Sequence, residues 1–205
     1  PLAVTTTPLF FNTGRGGWGS VALVSNGSLA FLTGEAEHPG ILRMSTGATN
    51  NSILRLYKGN LQTSRWITGS NFKKFEIVAR LNSTSASQFY VGMLDAAAGN
   101  SQLLLYYSAG VGANFMSYAQ KAGTDTGTNV STGLAADTNW HRFTIEQITP
   151  AVCSFSIDGI VRNTFAANIP TTETLNWTCD IYTNSGGAKT ADVDFAGFES
   201  GLLNR

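Results

Sequence analysis

Several short constellations in the 205-residue sequence carry residue types that can do chemistry. Glu35-Ala36-Glu37-His38 sets two carboxylates at i and i+2 beside an imidazole. Those positions share one face of a strand, and retaining glycoside hydrolysis needs two carboxyl groups about 5–5.5 Å apart in an aromatic-lined cleft. Pro39 and Gly40 interrupt the pattern at once, so residues 34–40 read as a loop, with His38 bonding a loop carbonyl rather than moving protons. Asp192-Val193-Asp194 places two carboxylates on the outer face of the last strand. Calcium takes about six to eight oxygens from a loop, and no D-x-D-x-D-G pattern supplies them, so a solvated face is expected. His141 adjoins Trp140, and without a G-x-S-x-G elbow it does not indicate Ser–His–Asp catalysis. Gly14-Arg15-Gly16-Gly17-Trp18-Gly19 satisfies G-x-G-x-x-G. A strand-like run, Ser20 to Val24, follows it where a dinucleotide site needs a helix N-terminus, which excludes that reading.

Aromatic side chains offer binding rather than catalysis. Tyr57, Trp66, Tyr90, Tyr106 and Tyr107 are the candidate ligand-binding residues, with Tyr118 beside them, because alternation along strands must turn some of them away from the core. Sugar rings stack on aromatic faces flanked by amides and arginine. The same residue types also fill cores and subunit interfaces.

The elements that position these groups are strands. Between Trp140 and Phe165, Phe143 and Ile145 alternate with Arg142, Thr144 and Glu146, and Cys153, Phe155 and Ile157 alternate with Ser154, Ser156 and Asp158. Asp158-Gly159 then predicts a type I′ hairpin leading into Ile160 to Phe165, and Asn26-Gly27 is a second such signal. Further strands are predicted at 8–11, 20–25, 29–32, 41–44, 52–57, 64–68, 72–81, 88–94, 102–107, 114–120 and 128–132, separated by turns rich in Gly, Asn, Ser and Thr. About fourteen to sixteen strands without a helix exceed what one open sheet holds, which implies two packed sheets. The expectation is one all-β domain over 1–205, an entry segment with its Gly-rich loop at 1–19 and an antiparallel β-sandwich at 20–200. Its core includes Phe75, Ile77, Phe89, Val91, Phe143, Ile145, Phe155 and Ile157.

Composition removes several function classes. Thirteen basic residues balance thirteen acidic ones, so no net field favours nucleic acid or an anionic membrane. No apolar run approaches the ~18 residues of a membrane span, and the start lacks a basic segment followed by an apolar one. Cys153 and Cys179 are the two cysteines, too few for a disulfide scaffold or a zinc site. Both fall at inward positions, where free buried thiols are expected and a disulfide is the alternative. No metal or other cofactor is expected. Charged residues are 13% of the chain against ~25% in typical soluble proteins, which hints that copies of the chain cover some of its surface.

The run from Trp140 through His141-Arg142-Phe143-Thr144-Ile145-Glu146 and Ser154-Phe155-Ser156-Ile157-Asp158-Gly159 to Asn168-Ile169-Pro170 resembles the late strands of concanavalin A-like and laminin G-like jelly rolls. Residues 37–47, 75–81 and 191–195 extend the likeness over roughly 35–199. More narrowly the chain resembles jelly-roll modules of bacteriophage tail fibres and other virion surface proteins. β-Glucanases of the same fold carry a third acid further along the catalytic strand, which the Glu35 segment lacks. The resemblance implies a non-enzymatic virion surface module, in a tail fibre or decorating a capsid. It would be a homotrimer on the virion surface, touching other virion proteins and host cell-surface polysaccharide. The alternatives are a free carbohydrate-binding lectin and a polysaccharide-cleaving enzyme of the same fold.

Overall fold

Alternation of apolar and polar residues decides which face each strand buries, and strand after strand obeys it. The structure is a computed structural model and describes residues 21–24, 27–57, 67–68, 71–95, 100–122 and 128–200. The strand expected at 8–11, the Gly-rich loop with Trp18, and Trp66 lie outside the described residues. Among the described residues there are fifteen strands and no α-helix. They are β1 (Val21–Val24), β2 (Ser28–Glu35), β3 (His38–Ser45), β4 (Ser52–Tyr57), β5 (Ile67–Thr68), β6 (Phe72–Leu81), β7 (Ser87–Asp95), β8 (Gln102–Ser108), β9 (Asn114–Gln120), β10 (Thr128–Ala135), β11 (His141–Thr149), β12 (Val152–Ile157), β13 (Ile160–Phe165), β14 (Thr174–Thr183) and β15 (Thr190–Ser200).

Two sheets result. One runs β1-β4-β14-β7-β8-β9-β10, with β5 also on β14, and the other runs β13-β12-β11-β6-β15-β3-β2. Every pairing is antiparallel. The chain is thus an all-β antiparallel sandwich, as its alternation predicts. All eight residues expected in the core lie between the sheets. Phe75 stacks on Trp177 at 6.3 Å, and Phe143 meets Phe89 and Phe115 at 5.8 and 5.3 Å. Each such side chain contributes about 1.5–3 kcal/mol through burial. Cys153 of β12 and Cys179 of β14 are buried free thiols in opposite sheets. The Asp158-Gly159 turn has φ of 56° and 76°, the double positive φ that its sequence predicts.

Three local expectations are corrected. The runs flanking Asn26-Gly27 do not form a hairpin, because β1 pairs with β4 in one sheet and β2 with β3 in the other. Residues 34–40 are not one loop: β2 reaches Glu35, β3 begins at His38, and Ala36-Glu37 forms the tight turn with Glu37 at φ 70°. Pro39 is tolerated because β15 pairs with β3 only from Leu42 to Ser45, so on that side the missing N–H costs no ladder bond. Asp192 faces outward as expected, yet it is wholly buried. Arg43 lies across it with two hydrogen bonds of 2.7 and 2.8 Å, and Arg80 adds one of 3.0 Å.

Candidate functional site on the outer face of the eight-stranded sheet

β14 is the strand on which the site is built. Leu175, Trp177, Cys179 and Ile181 turn into the core, so Asn176, Thr178, Asp180 and Tyr182 stand on the outer face. Register fixes their neighbours. Arg55 of β4 and Tyr90 of β7 flank Asp180, and Tyr106 of β8 lies beside Tyr90, a transverse row across four adjacent strands. The next row reads Tyr57, Thr178, Gly92, Leu104, Tyr118 and Asn129.

The first row is tightly knit. Arg55 Nε donates to Asp180 Oδ2 at 2.8 Å, and its Nη2 lies 2.7 Å from the same oxygen and 3.1 Å from the Tyr182 hydroxyl. Thr178 donates to Asp180 Oδ1 and Tyr182 to Oδ2. Tyr90 stacks on Tyr106 with ring centroids 5.2 Å apart and meets Tyr182 edge-on at the same distance. Its hydroxyl donates to Gln88 Oε1 at 2.6 Å. Although this is an outer face, Asp180 is 2% exposed, and Thr178, Tyr57 and Tyr106 are buried as well.

That shelter sets the electrostatics. Burial is the largest influence on Asp180 and lifts its carboxyl above the usual range, against the pull of Arg55, Thr178 and Tyr182. Burial also opposes the charge on Arg55, but the Asp180 carboxylate outweighs it and holds the guanidinium above its ordinary range. Tyr90 is pushed up by burial and then by Tyr182 and Tyr106, so its hydroxyl stays protonated. Gly92 stands in the second row and is required by its backbone, since a side chain there would point between the sheets. At its φ of 146° a Cβ would stand 2.1 Å from the Leu103 carbonyl oxygen and 2.9 Å from Ile145 Cδ1, so only glycine fits.

The arrangement supplies a buried acid, a fixed cation, aromatic ring edges and several hydroxyl and amide groups. Among the described residues Asp180 is the carboxylate at the strand positions of this face, and no second one stands beside it at the spacing that double displacement needs. No cluster of three or more His, Cys, Asp or Glu suited to a metal occurs among the described residues.

The acids singled out in the sequence sit on the other sheet. Arg80 grips both oxygens of Glu35 at 2.6 and 3.0 Å, and the Trp140 indole N–H reaches it at 3.3 Å. Those bonds hold the Glu35 carboxyl below its ordinary range, the Arg80 bond first. His38 bonds Asp194 at 3.0 Å instead of a loop carbonyl, and stacks on Trp140 at 4.2 Å. Glu35 is matched to Arg80 and Asp194 to His38, which makes a structural network and not a paired catalytic dyad. His141 likewise has both nitrogens on carboxylates, Asp158 at 2.7 Å and Asp137 at 2.9 Å.

Of the aromatics chosen from sequence, Tyr57, Tyr90 and Tyr106 come together on the outer face. Tyr107 does not: its ring joins the core against Phe115 at 6.3 Å and its hydroxyl donates to the Thr84 carbonyl at 2.7 Å. Arg55, Thr178, Asp180 and Tyr182 were missed. Their signal was the parity of β14, which assigns Trp177 and Cys179 inward and therefore Thr178 and Asp180 outward.

No protein-family model matches the sequence, and no curated protein matches it. Solved structures do share its fold. A glycoside hydrolase family protein from Mycobacterium thermorestibile superposes with a TM-score of 0.60 at 12% identity, over 78% of this chain and 76% of that one. The β-glucanase of Bacillus licheniformis gives 0.59 at 14% identity over 96% and 99%, and LamAcat from Zobellia galactanivorans 0.58 at 14% over 80% of each chain. The fold is therefore the concanavalin A-like jelly roll. The narrower expectation of a non-enzymatic virion surface module is corrected by these neighbours, among which are a glycoside hydrolase family protein and a β-glucanase, while nothing ties the chain to a tail fibre or capsid. The motifs behind that expectation mark strands and turns of the sandwich and do not distinguish what its faces carry.

Proposed function

We propose that the protein is a polysaccharide-cleaving enzyme that lays its substrate across the outer face of the eight-stranded sheet, with Asp180 holding Arg55 in place against the sugar. The row Arg55, Asp180, Tyr90 and Tyr106 carries the reading. Asp180 stays paired with Arg55 and accepts from Thr178 and Tyr182, so it fixes the guanidinium on the face where a sugar hydroxyl can meet it. Tyrosine edges and hydroxyls beside it suit the alternating apolar and polar surface of a sugar. The glycoside hydrolase and the β-glucanase that share the fold support the same class.

The test is an activity screen on mixed-linkage β-glucan, laminarin, bacterial capsule and lipopolysaccharide, scored for new reducing ends and for unsaturated sugars. Wild type is expected to release product from at least one polymer. Asp180→Asn, which frees Arg55, should lose about tenfold or more, while Glu35→Gln and Glu37→Gln retain activity. Release undiminished by Asp180→Asn would remove the Arg55–Asp180 pair from the site. Binding without release would remove cleavage, and neither binding nor release would remove the reading of this face.

A further inference from the structure

Asn176 occupies the outer face of β14 two residues before Thr178, in register with Leu94 of β7 and, one strand further, Gln102 of β8. Its side chain is 1% exposed, and among the described residues neither Oδ1 nor Nδ2 has a hydrogen-bond partner. The other polar groups of the face are answered: Asp180 by Arg55 and Thr178, Tyr90 by Gln88, Tyr118 by Gln120 at 2.9 Å. A buried amide with its two donors and two acceptor lone pairs left unmet destabilises the free protein, because water satisfied them before folding. Packing does not explain the residue either, since leucine would fill similar space at no such cost.

We infer that Asn176 is the specificity-determining residue of the polysaccharide site, and that it reads a pair of adjacent free hydroxyls on one sugar unit. The inference rests on the proposed function and adds the chemistry of recognition. A primary amide offers one acceptor and, beside it, a donor pair. A vicinal diol complements it, one hydroxyl donating to Oδ1 and its neighbour accepting from Nδ2. The ligand class is a glycan unit unsubstituted at those two positions. An acylated, sulfated or deoxygenated unit would leave the amide unmatched again, which is the strongest form of rejection a polar site has.

The experiment compares wild type with Asn176→Leu and Asn176→Ala in two readouts. The first is the melting temperature of the ligand-free protein. The second is calorimetric affinity for tetrasaccharides of the β-glucan, xylan and mannan types, and for analogues of the best binder methylated or deoxygenated at single hydroxyls. Asn176→Leu is expected to melt no lower than wild type and to bind at least tenfold more weakly. Wild type should lose a similar factor on the analogue lacking one hydroxyl of the pair, and Asn176→Leu should lose nothing further on it. Equal affinity of wild type and both variants would overturn the inference while leaving the polysaccharide reading intact. A clear drop in melting temperature for both variants would show the amide already satisfied in the free protein and would overturn it too. Failure of wild type to bind any glycan would remove the polysaccharide reading and the inference together.

Discussion

Arg55 and Asp180 face each other across β4 and β14 with a 2.7 Å contact between guanidinium and carboxylate, on a face where the aspartate is almost wholly buried. Removing either partner strands the other. Arg55→Met should therefore cost about 3 kcal/mol or more in urea unfolding, the range for breaking a buried pair. Arg55→Met combined with Asp180→Asn should recover part of that loss. A single variant that unfolds at the wild-type midpoint would show the pair to be screened by solvent.

Gly92 gives a sharper prediction. Its backbone sits where L residues strain, and an added Cβ meets the Leu103 carbonyl. Gly92→Ala is expected to lose about 2 kcal/mol or more, whereas Gly112→Ala, in open space, should change stability by less than about 0.5 kcal/mol. Thermal melts of the two variants side by side decide it.

The seven-stranded sheet should set the acid limit of the fold. Burial works against the charge on Asp192, but hydrogen bonds from Arg43 and Arg80 prevail and hold its carboxyl below the ordinary value. A depressed carboxyl stabilises the folded state above the unfolded pKa of ~3.9, and that contribution disappears as pH falls through the lower folded value. Asp192→Asn should be less stable than wild type at neutral pH and show a flatter decline below about pH 4. Parallel pH–stability curves for wild type and variant would contradict this.

Both cysteines should be inert. Burial pushes the Cys153 thiol up to about 12 and Cys179 well above its usual value, so neither presents thiolate at neutral pH. Ellman's reagent is expected to give no fast reaction with native protein and two equivalents in denaturant, matching two free cysteines. A fast native equivalent would mean that one of the two strands opens readily.

Much of the fold was legible because it is written in neighbouring residues. Phe143 and Ile145, Phe155 and Ile157, and the Asp158-Gly159 turn state their faces and their φ locally. The site was half legible. Parity along β14 turns Asp180 outward, but the Arg55 that completes it lies 125 residues away in sequence, and no local pattern states that register. Tyr106 and Tyr107 illustrate the same limit, since adjacent tyrosines on a strand must part, and only the pairing with β7 shows which one faces out. Asp192 misled for another reason: alternation assigns a face but does not reveal that the arms of Arg43 and Arg80 fold over it.

The strand order bears on how the chain comes to fold. β14 lies between β4 and β7, and β15 lies between β6 and β3, so each sheet receives a central strand from the last third of the sequence. Until those strands are made, β4 and β7, and likewise β3 and β6, expose unpaired edges toward each other. The contacts those two strands close are distant along the chain, which places the fold in the slow range of folding. During synthesis the first two-thirds of the polypeptide is a template open on both sheets, and a chaperone or a second nascent copy would find its purchase there.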